Sequence, residues 1–146
     1  MSPYEPGGRI REKSRVICTH NSCRSQIAEA IARKFASTEI EPYSAGTHVA
    51  PRINPDAVRR MKDLHGVDMT LTQSPKMTED LPEIDVLVTM GCGVICPWIP
   101  NRHLEDWGLE DPSGKGDAAM DQTIRLIETK VEDLARRIRT GIVPKQ

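Results

Sequence analysis

The sequence predicts an α/β fold, a small parallel sheet flanked by helices, and three observations predict it. Val16-Ile17-Cys18 forms a short apolar run, followed by a polar loop and then Ile27, Ile31 and Phe35 at steps of four, which reads as strand, loop and helix. The segment 84–90 contains Val86-Leu87-Val88 without alternation, as in a strand covered on both faces, and is expected to be the central strand. Ile124, Ile127, Val131, Leu134 and Ile138 recur at steps of three and four, with Gly141 beyond them, giving the clearest helix in the chain. Strands alternating with helices around one core make a sandwich on a parallel sheet.

The remaining elements follow in order. Residues 1–13 carry Pro3, Pro6, Gly7 and Gly8 and no apolar period, so they are expected to form a flexible N-terminal arm, with one catalytic domain over 14–146. A second strand is expected over 39–44, closed by Ala45-Gly46. Asn54-Pro55 opens a helix as cap and first-turn proline; Ala57, Val58, Met61 and Leu64 form its buried stripe, and Gly66 ends it. A fourth short strand is expected near 103–106.

Composition narrows the function. The chain has 146 residues, the size of one ordinary domain, and 20 Lys+Arg against 21 Asp+Glu leave a net charge of −1. Without a basic field, nucleic acid and anionic membranes are not expected partners. No stretch approaches the roughly 18–20 apolar residues of a membrane span, and the N-terminus lacks the apolar run of a signal peptide, so a cytoplasmic protein is expected. The four cysteines, Cys18, Cys23, Cys92 and Cys96, are too few for a disulfide scaffold. His48, His65 and His103 show no ligand spacing, and no metal or cofactor is expected. Arg136, Arg137 and Arg139 read as a solvated helix face without a partner.

The chemistry concentrates between the first strand and the first helix. There the sequence reads Cys18-Thr19-His20-Asn21-Ser22-Cys23-Arg24-Ser25, a cysteine followed by five residues and an arginine. A loop entering a helix N-terminus directs unpaired backbone N–H groups at one point, where the helix dipole adds positive potential. Thr19, His20, Asn21, Ser22, Cys23, Arg24 and Ser25 are therefore the candidate oxyanion site. Arg24 would grip two oxygens of the anion, and the same field would lower the Cys18 pKa toward the thiolate. Ser25 would hydrogen-bond that thiolate, Asn21 would brace the loop, and His20 would face solvent; Cys23 reads as loop packing with a minor protective role.

This opening resembles that of the low-molecular-weight protein tyrosine phosphatases and of the arsenate reductases that share their fold. Ser44-Ala45-Gly46-Thr47, Asn54-Pro55 with Ala57-Val58, Val88-Thr89-Met90-Gly91-Cys92 with Cys96-Pro97, and Asp106-Trp107 before Asp111-Pro112 all resemble the reductase branch, over about residues 15–139. The resemblance implies a three-layer sandwich with a central four-stranded parallel sheet, Cys18 as nucleophile, and Asp111 as the acid that protonates the leaving oxygen. Where the phosphatases place aromatic residues after that aspartate, this chain continues Ser113-Gly114-Lys115. It also carries Val94-Ile95 where relatives often place an acidic or small polar residue.

Electron count separates the two activities. Reducing arsenate to arsenite takes two electrons, which two thiols supply on becoming a disulfide, whereas a phosphatase needs one thiol. Cys92 and Cys96 follow the central strand, whose carboxyl end should lie on the face of the Cys18 loop. They read as resolving thiols; a metal site with His103 and buried filler are the alternatives. The expected activity is a monomeric, thiol-dependent arsenate reductase of arsenic resistance, with Cys18, Arg24, Asp111, Cys92 and Cys96 catalytic. Its substrate would be arsenate or a phosphate-like oxyanion, and its partner thioredoxin or another dithiol reductant. A phosphatase and an inactive oxyanion-binding module are the competing readings.

Overall fold

The computed structural model describes residues 2–5, 9–11, 13–19, 23–45, 52–71, 73, 83–91 and 100–142. Strands β1 (Ser2–Glu5) and β2 (Arg9–Arg11) pair antiparallel in a ribbon of their own. Within 1–13, which reads as a flexible arm, the structure thus has regular pairing. Pairing of this kind rests on backbone hydrogen bonds, which the lack of an apolar period does not forbid.

The main sheet is built from β3 (Ser14–Thr19), β4 (Ile40–Ala45), β5 (Val86–Thr89) and β6 (His103–Asp106). They run parallel in the order β4-β3-β5-β6. Cys18 lies opposite Ser44 on one side and Val88 on the other. The order reverses between β3 and β5, so the carboxyl ends of these two strands flank the topological switch point, the usual ligand crevice of an open α/β sheet.

Three helices follow the expected signals. Helix α1 (Arg24–Phe35) begins at the Cys18 loop. Helix α2 (Pro55–His65) is capped by Asn54, whose side-chain oxygen accepts from the amides of Asp56 and Ala57 at 2.8 and 3.3 Å, and is ended by Gly66 at φ +67°. Helix α3 (Asp117–Arg139) carries the long apolar stripe. Alternation along the strands sends Val16, Cys18, Val86 and Val88 into the main core with Ile27, Ile31, Ile124, Ile127, Val131 and Leu134. Ile17 and Leu87 point the opposite way into a smaller cluster with Ile84 and Tyr43, so both central strands are buried on both faces. Two apolar positions of the helical stripes stay outside. Phe35, the last residue of α1, is 58% exposed and meets His65 edge-on at 5.3 Å, and Leu64 lies at the rim of the α2 stripe.

Two carboxylates fix the sheet. Asp85 is buried; its Oδ2 accepts the Arg15 amide at 2.7 Å, its own amide donates to the Arg15 carbonyl, and its carbonyl accepts from Arg102 and His103. Glu105, on β6, takes a bidentate grip from Arg137 at 2.8 and 2.9 Å and further bonds from the Trp107 indole and the His103 ring. The α3 arginines are therefore partnered, contrary to a simple solvated face: Arg137 also holds Asp133, Arg136 holds Asp133, and Arg139 reaches Glu39. Helical spacing places Arg137 beside the stripe, where a half-buried cation needs a carboxylate.

Burial works to raise the Glu105 pKa, but the bonds from Arg137, Trp107 and His103 outweigh it and carry the carboxyl down to about 2. A depressed carboxyl stabilises the fold above its ordinary value of 4.5 and loses that contribution as the pH falls through about 2. Glu105→Gln should therefore cost about 1–3 kcal/mol at neutral pH. In denaturant titrations, the gap to wild type should shrink as pH drops below the ordinary carboxyl range; a gap independent of pH would show that charge is not its source.

Candidate active site

The β3–α1 junction lies at the switch point. Strand β3 ends at Thr19, whose hydroxyl donates to the Val88 carbonyl at 3.4 Å, so this side chain braces β3 against β5 instead of facing an anion. His20, Asn21 and Ser22 lie outside the described residues, as do Cys92 and Cys96. Cys23 stands at the N-cap of α1 without a side-chain capping bond, and the first turn holds no acidic residue. The leading N–H groups of α1 are thus left without a side-chain acceptor from the cap, the condition under which a helix N-terminus binds an oxyanion. Ser25 is fully buried in that turn.

Arg24 is buried, and its position departs from the expected two-point grip. Its Nη1 donates to the Met90 carbonyl at 2.7 Å and to the Leu109 carbonyl, tying the segments after β5 and β6 to the start of α1. Its Nε is buried with no hydrogen-bond partner among the described residues. A buried guanidinium N–H left unpaired costs free energy that an anion would recover. One edge of the guanidinium is committed to backbone, and Nε remains to bind.

Cys18 also departs from expectation. It is buried in β3 and, with Ala28, Glu29, Ala32, Trp107, Val131 and Leu134, lines a cavity of only about 10 Å³. Burial, then the charges of Glu29 and Glu105, push its pKa well above the ordinary thiol range. The thiol is therefore protonated at neutral pH in this conformation. In place of the expected depression, burial desolvates the sulfur, and the two carboxylate charges add to the rise.

Asp111 is exposed and closes a turn by accepting the Ser113 amide at 3.0 Å. Its loop meets the anion loop at Cys23. Burial, then the Asp111 charge, push the Cys23 thiol up to about 12, against a hydrogen bond from Ser113 and the charge of Arg24. Asn54 donates to the Ser113 hydroxyl at 3.2 Å, joining the head of α2 to the same loop. The Cys23 sulfur rests 3.8 Å from that of Met120 on α3, consistent with loop packing. Cys18, Cys23, Arg24 and Asp111 thus gather at one end of the sheet. Among the described residues no group of three His, Cys, Asp or Glu side chains could hold a metal, and the His103 ring is engaged with Glu105.

Sequence reasoning passed over two carboxylates here. Asp106, at the end of β6, accepts from the Thr89 hydroxyl and from the amides of Gly91 and Gly108. Glu29, buried on α1, accepts from Ser44 at 2.5 Å and pairs with Arg33 at 2.7 Å. The apolar period gave no signal for Glu29, because a residue two positions after Ile27 lies on the far side of the helix from the Ile27-Ile31 stripe.

A cysteine and an arginine on either side of a strand-to-helix junction at a sheet switch point define the class as a thiol-dependent enzyme. The family described as low molecular weight phosphotyrosine protein phosphatase matches residues 14–142, and the chain belongs to that family, in its arsenate reductase branch. It is 34% identical over 129 residues to an arsenate reductase of Halalkalibacterium halodurans, covering 85% of this chain and 90% of that one. It is 33% identical over 132 residues to the glutaredoxin arsenate reductase of a Synechocystis species, covering 87% of this chain and 98% of that one. A solved arsenate reductase in a phosphate-binding state superimposes with a TM-score of 0.74 at 32% identity, over 87% of this chain and 98% of that one. No helix among the described residues is long and apolar enough to cross a membrane.

The raised Cys18 pKa has a direct readout. Alkylation of Cys18 by iodoacetamide, followed by mass spectrometry, should be slow at pH 7 and climb continuously through pH 9, because the thiolate is the minor form. A rate already at its plateau by pH 7 would show that the buried thiol is not the species in solution.

Proposed function

We propose that the protein reduces arsenate to arsenite through Cys18, Cys92 and Cys96. The observation that carries this reading is the bond from Arg24 to the Met90 carbonyl, which ties the chain two residues before Cys92 to the start of the helix that follows the Cys18 loop. A phosphatase has no use for a second thiol pair on that segment. The likeness to arsenate reductases supports the same reading.

The residues act in order. The leading amides of α1 and the free Nε of Arg24 hold the arsenate, whose dianion takes the Cys18 proton. The Cys18 sulfur attacks arsenic, and Asp111 in its acid form protonates the departing oxygen, which leaves as water. Cys92 as thiolate then attacks the Cys18 sulfur; the sulfur–arsenic bond breaks, its electron pair stays on arsenic, and arsenite leaves. Cys96 attacks the Cys92 sulfur, freeing Cys18 as a thiolate and leaving a Cys92–Cys96 disulfide for an external dithiol. Thioredoxin fits that role, as does glutaredoxin, which one relative's name contains. A relay that must start from reduced thiols suits the cytoplasm. Phosphoryl ester hydrolysis would need only Cys18, Arg24 and Asp111, so a residual phosphatase activity is compatible with the same site.

Arsenite release by purified protein, with and without thioredoxin, its reductase and NADPH, tests the reading. Cys18→Ser should abolish turnover, Cys92→Ser should retain the arsenic adduct on Cys18, and Cys96→Ser should stop after one turnover as a Cys18–Cys92 disulfide. Sustained turnover by both of the latter variants would eliminate the relay. Asp111→Asn should lower kcat by about 10²-fold or more while phosphate affinity holds; collapse of affinity with kcat kept would make Asp111 an organiser of its loop.

A further inference from the structure

The two segments that leave β5 and β6 lead to different functional residues. Gly91 immediately precedes Cys92, and Gly108 lies three residues before Asp111. Asp106 touches both. Its Oδ1 accepts from the Gly91 amide at 2.7 Å, from the Gly108 amide at 3.2 Å and from the Thr89 hydroxyl at 2.9 Å. Thr89 and Asp106 are register partners at the carboxyl ends of their strands, and the Trp107 amide bonds the Thr89 carbonyl at 2.8 Å. The backbones stay in contact beyond the sheet. Gly91 has φ +80°, and a Cβ there would lie 3.1 Å from the Gly108 Cα, so only glycine fits.

Arg24 closes the same pair of segments from another side, through the carbonyls of Met90 and Leu109. Each segment is therefore held twice, its N–H by a carboxylate and its C=O by a guanidinium. Burial works against the Asp106 charge, but the Thr89 hydroxyl, the Gly108 and Gly91 amides and the Arg24 charge keep its carboxyl below the ordinary range. Three donors converge on one oxygen of an exposed side chain, more than a surface turn requires. Their common effect is to fix where the chain enters Cys92 and where it enters the Asp111 loop.

We propose that Asp106 is a positioning residue for the reaction, holding through Gly91 and Gly108 the segments that deliver the Cys92 thiol and the Asp111 acid to the Cys18 loop. The inference rests on the relay reading of Cys92. With the carboxylate removed, both segments gain freedom at their first residues, and the attack of Cys92 on Cys18 loses its fixed approach. Arsenate binding depends on the head of α1 and Arg24, and there the loss is confined to the Asp106 field, since the Met90 and Leu109 carbonyls still hold the guanidinium.

The test is single-turnover arsenate reduction, quenched with an alkylating reagent and mapped for the Cys18–Cys92 disulfide, alongside steady-state kcat and KM. Asp106→Ala should slow disulfide formation and kcat about tenfold or more while the arsenate KM stays within twofold. Asp106→Asn, which keeps an oxygen acceptor between the two amides, should recover most of the lost rate. If Asp106→Ala does not melt cooperatively, Asp106→Glu takes its place: it keeps the charge but moves the acceptor by one methylene, and should show the same slow step. Wild-type disulfide formation with an unchanged rate in the folded variant overturns the positioning role alone. A KM that rises in step with the fall in kcat, or an Asn variant as slow as Ala, overturns it as well. A wild-type protein that forms no arsenate-dependent Cys92 disulfide overturns the relay reading, and this inference with it.

Discussion

A buried guanidinium in the first turn of a helix is an expensive arrangement, because the helix N-terminus already carries partial positive charge and the cation has left water. Arg24 is held there by backbone carbonyls from two different segments and by the field of Asp106. Those partners must come to the arginine, since its helix is fixed by packing against β4 and α3. The crevice at the switch point takes its shape from this requirement. Segments after β5 and β6 bury Met90, Trp107 and Leu109 in the core beside the head of α1, and hydrogen bonds to Arg24 fix where their backbones lie.

The same packing sets the state of the nucleophile. Cys18 is the last core-facing residue of β3 before the loop, so the burial that completes the sheet face also desolvates the sulfur. Glu29 and Glu105, each occupied with a structural arginine, add charge of the wrong sign for a thiolate. Stability and reactivity thus compete for one position. Burial limits the exposure of a reactive thiolate in this conformation.

Much of the fold was legible because it rests on period and punctuation. The non-alternating run at Val86-Leu87-Val88, the Asn54-Pro55 cap and Gly66 each act within a few residues, and each stands where the sequence put it. The location of the Cys18 loop was legible for the same reason: strand, polar loop and helix are adjacent in the chain. The side-chain chemistry was less so. The direction of Arg24 depends on carbonyls 66 and 85 residues away, and the state of Cys18 on burial and on carboxylates as distant in sequence as Glu105; no local pattern records them. Arg137 was misread because a surface period cannot reveal that β6 offers Glu105 beneath it. Asp106 was visible only as part of a motif, since three amide and hydroxyl donors meeting on one oxygen is a tertiary fact.

Asp85 sits at the other pole of the sheet, bonded to the amino ends of β3, β5 and β6 at once. The strands are thus pinned at their amino ends by Asp85, while Arg24 and Asp106 tie the segments just beyond the carboxyl ends of β5 and β6, like a fan held at the pivot and stitched along the rim. Register is then set from both ends, and a substitution that loosens either tie leaves the other to keep the strands in step.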